Sequence, residues 1–200
     1  MKLLLFSDLH ANTDAARRIV ERAPRFDIVI GAGDFGNLRR DVKHCIDVLK
    51  DIEQPAILVA GNNESTEELT DACHAWPNAR ILHGTKTTIA GVDFFGIGGG
   101  IPVTPFGSWS YDFTEEQAAE LLANCPADCV LVSHSPPKGA VDVSSRGKKL
   151  GSVAIRDTVL RVQPRLVVCG HIHESAGNQS QIGATPIVNA GPKCVAWELG

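Results

Sequence analysis

Short apolar runs, each cut off by a polar tip, recur along this chain and set its organisation. Leu3 to Phe6 does not alternate, as expected of a strand buried on both faces, and it stops at Ser7-Asp8-Leu9-His10. Asp27 to Ile30 stops at Gly31-Ala32-Gly33-Asp34, and Pro55 to Ala60 stops at Gly61-Asn62-Asn63-Glu64. Between these runs the spacing becomes that of amphipathic helices. Ala15, Ile19 and Val20 form an apolar stripe over 14–22, capped by Asn12 or Thr13 and ended by Pro24. Val42, Cys45, Ile46 and Leu49 predict a helix over 40–51, and Ser65 or Thr66 caps a third helix containing Leu69 and Cys73. Strand, polar tip and helix, three times over, predict a parallel sheet with ligands gathered at the carboxyl ends of its strands.

The middle of the chain changes character. Ile81 to His83, Thr87 to Ile89 and Val92 to Ile97 are short and joined by glycine-containing turns, which predicts antiparallel hairpins. Residues 98–113 form a long irregular loop, either a lid or rim over a site or a disordered surface excursion. Thr114 and Gln117 carry the capping-box pattern and open a helix through Leu122. Cys129 to Val132 is a strand tipped by Ser133-His134-Ser135-Pro136-Pro137. After a helix over 153–162, Leu166 to Cys169 is a strand that ends in Gly170-His171-Ile172-His173. The loop over 138–151 carries Arg146, Lys148 and Lys149; a solvated basic loop is the simpler reading, reach to a substrate phosphate the other. Pro186 to Ala190 and Cys194 to Leu199 predict strands of a second sheet.

Composition narrows the class. With 200 residues, 44% of them hydrophobic, the chain fits one domain over 1–200. A net charge of −4 argues against general nucleic-acid binding and against a membrane surface as partner. Six scattered cysteines without a Cys-x-x-Cys pair read as reduced and structural, which predicts a cytoplasmic protein. The run ending at Phe6 is too short for a signal peptide, and no apolar stretch reaches membrane-span length. Oligomeric state has no signature in the sequence.

The candidate chemistry sits at five strand tips: Asp8 and His10, Asp34, Asn62, His134, and His171 with His173. Carboxylate and amide oxygens beside imidazole nitrogens are what a pair of divalent cations requires. The remaining histidines, His44, His74 and His83, lie off these tips and read as structural or surface residues.

The ordered set Asp-x-His, Gly-Asp, Gly-Asn-Asn-Glu, His and Gly-His-x-His resembles the calcineurin-like metallophosphoesterase family, from Asp8 to His173. The resemblance implies a four-layer α-β-β-α sandwich, an α/β fold with two mixed central sheets. It implies that Asp8, His10 and His173 hold one metal and Asn62, His134 and His171 the other, with Asp34 bridging. It further implies hydrolysis by attack of a metal-bridging hydroxide on phosphorus. The metals expected are two divalent cations, manganese foremost, with iron, zinc or magnesium as alternatives. Two carboxylates facing two dications leave the cluster positive by about one unit even with a hydroxide, which favours a small phosphate-ester substrate.

Ser-Pro-Pro-Lys after His134 resembles a short-chain phosphodiesterase branch of the family, so phosphodiester bonds are expected ahead of phosphomonoesters. A metal-binding interaction scaffold with weak activity is the rival class. The catalytic candidates are Asp34, His134 and Asn63. At position 63 most relatives carry a histidine; an amide can donate a hydrogen bond but cannot act as a general acid near neutral pH. Glu64 reads as a supporting or helix-start carboxylate.

Overall fold

The computed structural model describes residues 1–200 and resolves them into two sheets between two layers of helices. The first sheet is built from β1 (Lys2–Phe6), β2 (Ile28–Ala32), β3 (Ala56–Val59) and β4 (Ala79–Ile81), all parallel, with β11 (Val195–Glu198) antiparallel on β1. The second runs β5-β6-β7-β8-β10-β9, using β5 (Thr85–Ile89), β6 (Val92–Ile97), β7 (Val130–Ser133), β8 (Leu166–Cys169), β9 (Gln179–Ile182) and β10 (Thr185–Asn189). Its centre is parallel, and the outer strands β5 and β9 are antiparallel to their neighbours.

Both faces of each sheet are covered, which is why the central strands read as unbroken apolar runs. In β1, Leu4 and Phe6 join a core with Ile19, Ile46 and Leu69 from α1 (Thr13–Arg22), α2 (Val42–Leu49) and α3 (Thr66–Ala72). Leu3 and Leu5 point the other way, into a core between the sheets with Val130, Val132, Leu166 and Val168. A third core packs Leu131 and Val167 of the second sheet against Leu122 of α4 (Glu115–Leu122) and Ile155 of α5 (Val153–Val162). The layers are therefore α-β-β-α, as expected.

Helix starts follow the sequence signals. Asn12 rather than Thr13 caps α1, its side chain accepting from the Ala15 N–H. Ser65 and Glu68 form a capping box on α3, and Thr114 and Gln117 form one on α4. No helix is long and apolar enough to cross a membrane.

Two strand expectations need correction. The sequence places Cys194 to Leu199 in a second sheet beside 186–190, but β11 returns to the edge of the first sheet, paired with β1. Its alternating pattern defines one buried face and carries no information about which sheet supplies the partner. The sequence also places Ile81 to His83 in a hairpin, whereas β4 ends at Ile81 and lies parallel to β3, reached through α3. Strand β9 has no apolar signal because it is a polar, largely exposed edge.

Candidate metal centre

The carboxyl ends of β1, β2, β3, β7 and β8 meet, and every tip residue singled out in the sequence arrives there except that His173 follows on a short 3-10 turn. Four of these tip residues, none of them glycine, have left-handed backbone: φ is 56° at Asp8, 47° at His10, 57° at Asp34 and 67° at His171. Such conformations cost of order 1–3 kcal/mol each and persist where the surroundings impose them. The motif glycines have a steric reason. A Cβ on Gly61 would lie 2.0 Å from Asp34 Oδ1, and one on Gly170 would lie 2.5 Å from Asp8 Oδ2. These glycines let a carboxylate enter, from the adjacent strand tip at Gly61 and from the other sheet at Gly170.

The donor atoms fall into two groups that share Asp34. In the first, His10 Nε2 lies 3.0 Å from His173 Nε2 and 3.6 Å from Asp34 Oδ2, while His173 Nε2 lies 3.7 Å from Asp8 Oδ1. One ligand atom from each of Asp8, His10, Asp34 and His173 fits within a 4.8 Å span. In the second, His171 Nδ1 is 3.1 Å from Asn62 Oδ1 and 3.2 Å from His134 Nε2, which is 3.5 Å from Asp34 Oδ1. Metal–ligand bonds of about 2.1 Å subtend donor–donor distances of about 3.0 Å at right angles and about 3.4 Å at tetrahedral angles. Most of the observed spacings fall close to that range, and each group has the chemistry of a cation shell.

Orientation supports the same fit. The buried His134 ring places Nδ1 2.8 Å from the Ala32 carbonyl, so Nδ1 carries the proton and Nε2 turns its lone pair into the cluster. The Asn62 amide donates to Ser110 Oγ, leaving Oδ1 facing His134 and His171. Burial holds His171 well below the usual imidazole range, reinforced by His134, His173 and His10. Burial also lowers His10, against the pull of Asp8. Neutral imidazole is the ligand form. For His134 burial is outweighed by Asp34, Asp8 and the Ala32 carbonyl, and its pKa rises. Burial raises Asp34, helped by Asp8 and opposed by His134 and Asn63.

Asn63 arrives at the site but with its amide engaged. Nδ2 donates to Asp34 Oδ2 at 2.7 Å, Oδ1 accepts from the Leu38 N–H, and the Asn63 N–H donates to Asp34 Oδ1. Asp34 is thereby held from one side while its two oxygens face the two donor groups. Glu64 is fully buried and accepts from the N–H groups of Asp34, Gly61 and Gly36, tying the tips of β2 and β3 together. Burial, reinforced by Asp34, pushes its carboxyl up to about 7. Of the two readings open for Glu64, support of the site is the one observed.

Of the other supporting residues, Asn189 falls in Val188-Asn189-Ala190-Gly191, a stretch that also resembles the family, while Ser7 and Ser110 carry no sequence signal for their support. Ser7 Oγ donates to Asp8 Oδ2 and accepts from Gly191 N–H. Asn189 Nδ2 donates to the carbonyls of Gly170 and Ile172, fixing the turn that presents His171 and His173. Ser110 is part of a chain from Asn62 to Asp112 that also holds Thr104, so residues 101–113 form an ordered rim, not an excursion. His44, His74 and His83 stay away from the donor groups; His83 packs against Tyr111 and Phe113 and accepts from Gly98 N–H. A cavity of about 380 Å³ opens over Asp34, lined by His10, Asn62, Asn63, His171, His173 and the rim.

Paired sheets in an α-β-β-α sandwich, with a doubled oxygen and imidazole donor set at one shared strand end, define a metallohydrolase-type site. The chain belongs to the calcineurin-like phosphoesterase superfamily, whose domain model matches residues 1–198. Human metallophosphoesterase domain-containing protein 1 is 29% identical over 222 positions, covering 94% of this chain and 65% of the human protein. The chain therefore spans about two thirds of that relative's length. A Thermus thermophilus protein of solved structure has the same fold, with a TM-score of 0.77 at 18% identity, covering 100% of this chain and 99% of its own. So does a dimetal phosphatase from Danio rerio, with a TM-score of 0.62 at 14% identity over 94% of this chain and 86% of that one.

Proposed function

We propose that the protein is a dinuclear, divalent-metal phosphoesterase that prefers phosphodiesters. The observation that carries this reading is Asp34, whose two oxygens face two separate donor groups below an open cavity. Asp8, His10 and His173 would hold one cation, Asn62, His134 and His171 the other, with Asp34 shared between them. When bound, such cations supply Lewis-acid charge and lower the pKa of bound water to about 7. The chain's own contribution is orientation. Ala32 sets the His134 tautomer, Ser110 turns the Asn62 oxygen inward, and Asn63 and Glu64 hold Asp34 from its side chain and its backbone.

The preference for diesters rests on the Ser-Pro-Pro-Lys resemblance after His134, while what the cavity lacks in acid chemistry bears on the leaving group. Beside the donor residues, Glu174 is the one titratable side chain in its lining, and Asn63 cannot protonate a departing oxygen. Aryl and strained cyclic diesters, which depart without that proton, suit such a site better than alkyl esters. Six unpaired thiols support a reducing, cytoplasmic setting. Manganese-loaded protein is expected to turn over bis(p-nitrophenyl) phosphate faster than p-nitrophenyl phosphate and to accept cyclic nucleotides. The reverse order would make it a phosphomonoesterase. No turnover of either would favour a scaffold.

A further inference from the structure

The cavity over Asp34 does not stop at the donor groups. A second cavity, also about 380 Å³, adjoins it and shares Phe106, Ser144, Ser145, Leu150 and His171 with the first. Both of its walls are built. On one side Thr104 and Ser110 hang on Asp112, and Ser110 in turn contacts Asn62. On the other, residues 143–149 close a small hairpin: Val143 and Lys149 pair, and Ser144 N–H donates to the Lys148 carbonyl. The buried Asp142 anchors its base by accepting from Gly139 and Gly151 N–H, and Ser175 Oγ donates to the Val143 carbonyl beside the His173 turn.

The walls combine exposed apolar and cationic side chains. Seven large apolar side chains stay exposed, and four of them, Leu38, Val103, Phe106 and Leu150, line one or other cavity. Phe106 stacks on Trp109 with ring centroids 5.8 Å apart. Beyond this apolar floor the second cavity presents Arg146 and Lys148, and neither is among the residues forming ion pairs. No carboxylate lines it, whereas Glu174 lines only the first. Two free cations beside an apolar shelf, on a chain of net charge −4, make a local positive site.

We infer that the second cavity is a subsite for a second anionic group of the substrate. The class is a phosphodiester that carries an additional phosphate, its flat or apolar body resting on Phe106 and Leu150 while that phosphate meets Arg146 and Lys148. The inference rests on the phosphodiesterase reading for the position of the scissile bond. Of the two readings of the basic loop it adopts phosphate contact. Arginine and lysine supply charge-assisted hydrogen bonds to phosphate oxygens, and the aromatic shelf suits a nucleobase-like ring.

The dinucleotide TpT and its 5′-phosphorylated form pTpT test it with two readouts. In metal-free protein, where no turnover is expected, quenching of the tryptophan emission that Trp109 shares with Trp76 and Trp197 reports binding. A W109F variant assigns the signal to the cavity. In manganese-loaded enzyme, steady-state kinetics separate KM from kcat. Expected is a preference for pTpT of about tenfold in affinity and in KM, with kcat little changed, the factor one charge-assisted hydrogen bond supplies. The pTpT/TpT ratio should fall toward one in R146Q/K148Q, and in the unmodified protein as salt is raised. Equal binding of the two dinucleotides, or a ratio that survives both treatments, overturns the subsite. Turnover of bis(p-nitrophenyl) phosphate alongside that result leaves the phosphodiesterase reading intact. Its absence, with the fluorescence preference present, overturns that reading and retains the anionic subsite.

Discussion

Asn63 grips the carboxylate that the two donor groups share. Its amide and N–H both bind Asp34, so its first role is to hold the shared carboxylate in place. A histidine at this position would add a titratable donor, and general-acid help is typically worth about 100-fold or more. Asn63→His is therefore expected to raise kcat on alkyl phosphodiesters by about 100-fold relative to aryl ones. Steady-state kinetics on a matched pair of substrates checks this, and an unchanged ratio removes proton donation from the account of position 63. Glu64 is the stronger structural element. Replacing its acceptor oxygen by an amide nitrogen in Glu64→Gln turns a donor toward the N–H groups of Asp34, Gly61 or Gly36. A buried donor left unsatisfied costs about 1–3 kcal/mol, to be read as a lower urea midpoint of the metal-free protein. The residues at strand tips were legible because apolar runs stop abruptly at groups with ligand chemistry. Ser7 and Ser110 were not, since each acts through one or two hydrogen bonds to a neighbouring loop, and nothing in local sequence marks that.

At the scale of elements, the continuous apolar runs of β1, β2, β3, β7 and β8 announced strands buried on both faces, and they are. What they could not announce was partner choice. Strand β11 alternates and could line any sheet edge, and β9 is polar enough to pass for a loop. Four of the five helix starts match the sequence signal to within a residue, and α2 begins at Val42 rather than 40. The start of α5, capped locally by Ser152, is also held from a distant element. The Glu115 carboxylate, at the start of α4, accepts from Ser152 Oγ and from the N–H groups of Val153 and Ala154 at the start of α5. This contact joins the two helices under the second sheet and fixes the chain where it leaves the Arg146–Lys148 hairpin. Glu115→Ala is expected to cost about 1–2 kcal/mol, the upper part of the range for a lost N-cap, with an unchanged urea m-value. A loss below a few tenths of a kcal/mol would mean that water replaces the carboxylate without penalty.

Across the whole molecule, the site exists because two sheets present their carboxyl ends to the same volume. The first sheet brings Asp8, His10, Asp34 and Asn62, and the second brings His134, His171 and His173. Neither sheet alone completes either donor group, because Asp34 and Asn62 meet His134 and His171 across the interface, and Asp8 and His10 meet His173 there. The dinuclear reading requires two cations per chain with Asp34 between them. Native mass spectrometry of the protein after equilibration with manganese and removal of free metal measures it directly. Two divalent cations per chain are expected, with loss of at least one of them in Asp34→Asn. A chain that retains no cation or only one, or an Asp34→Asn variant that keeps both, would contradict it.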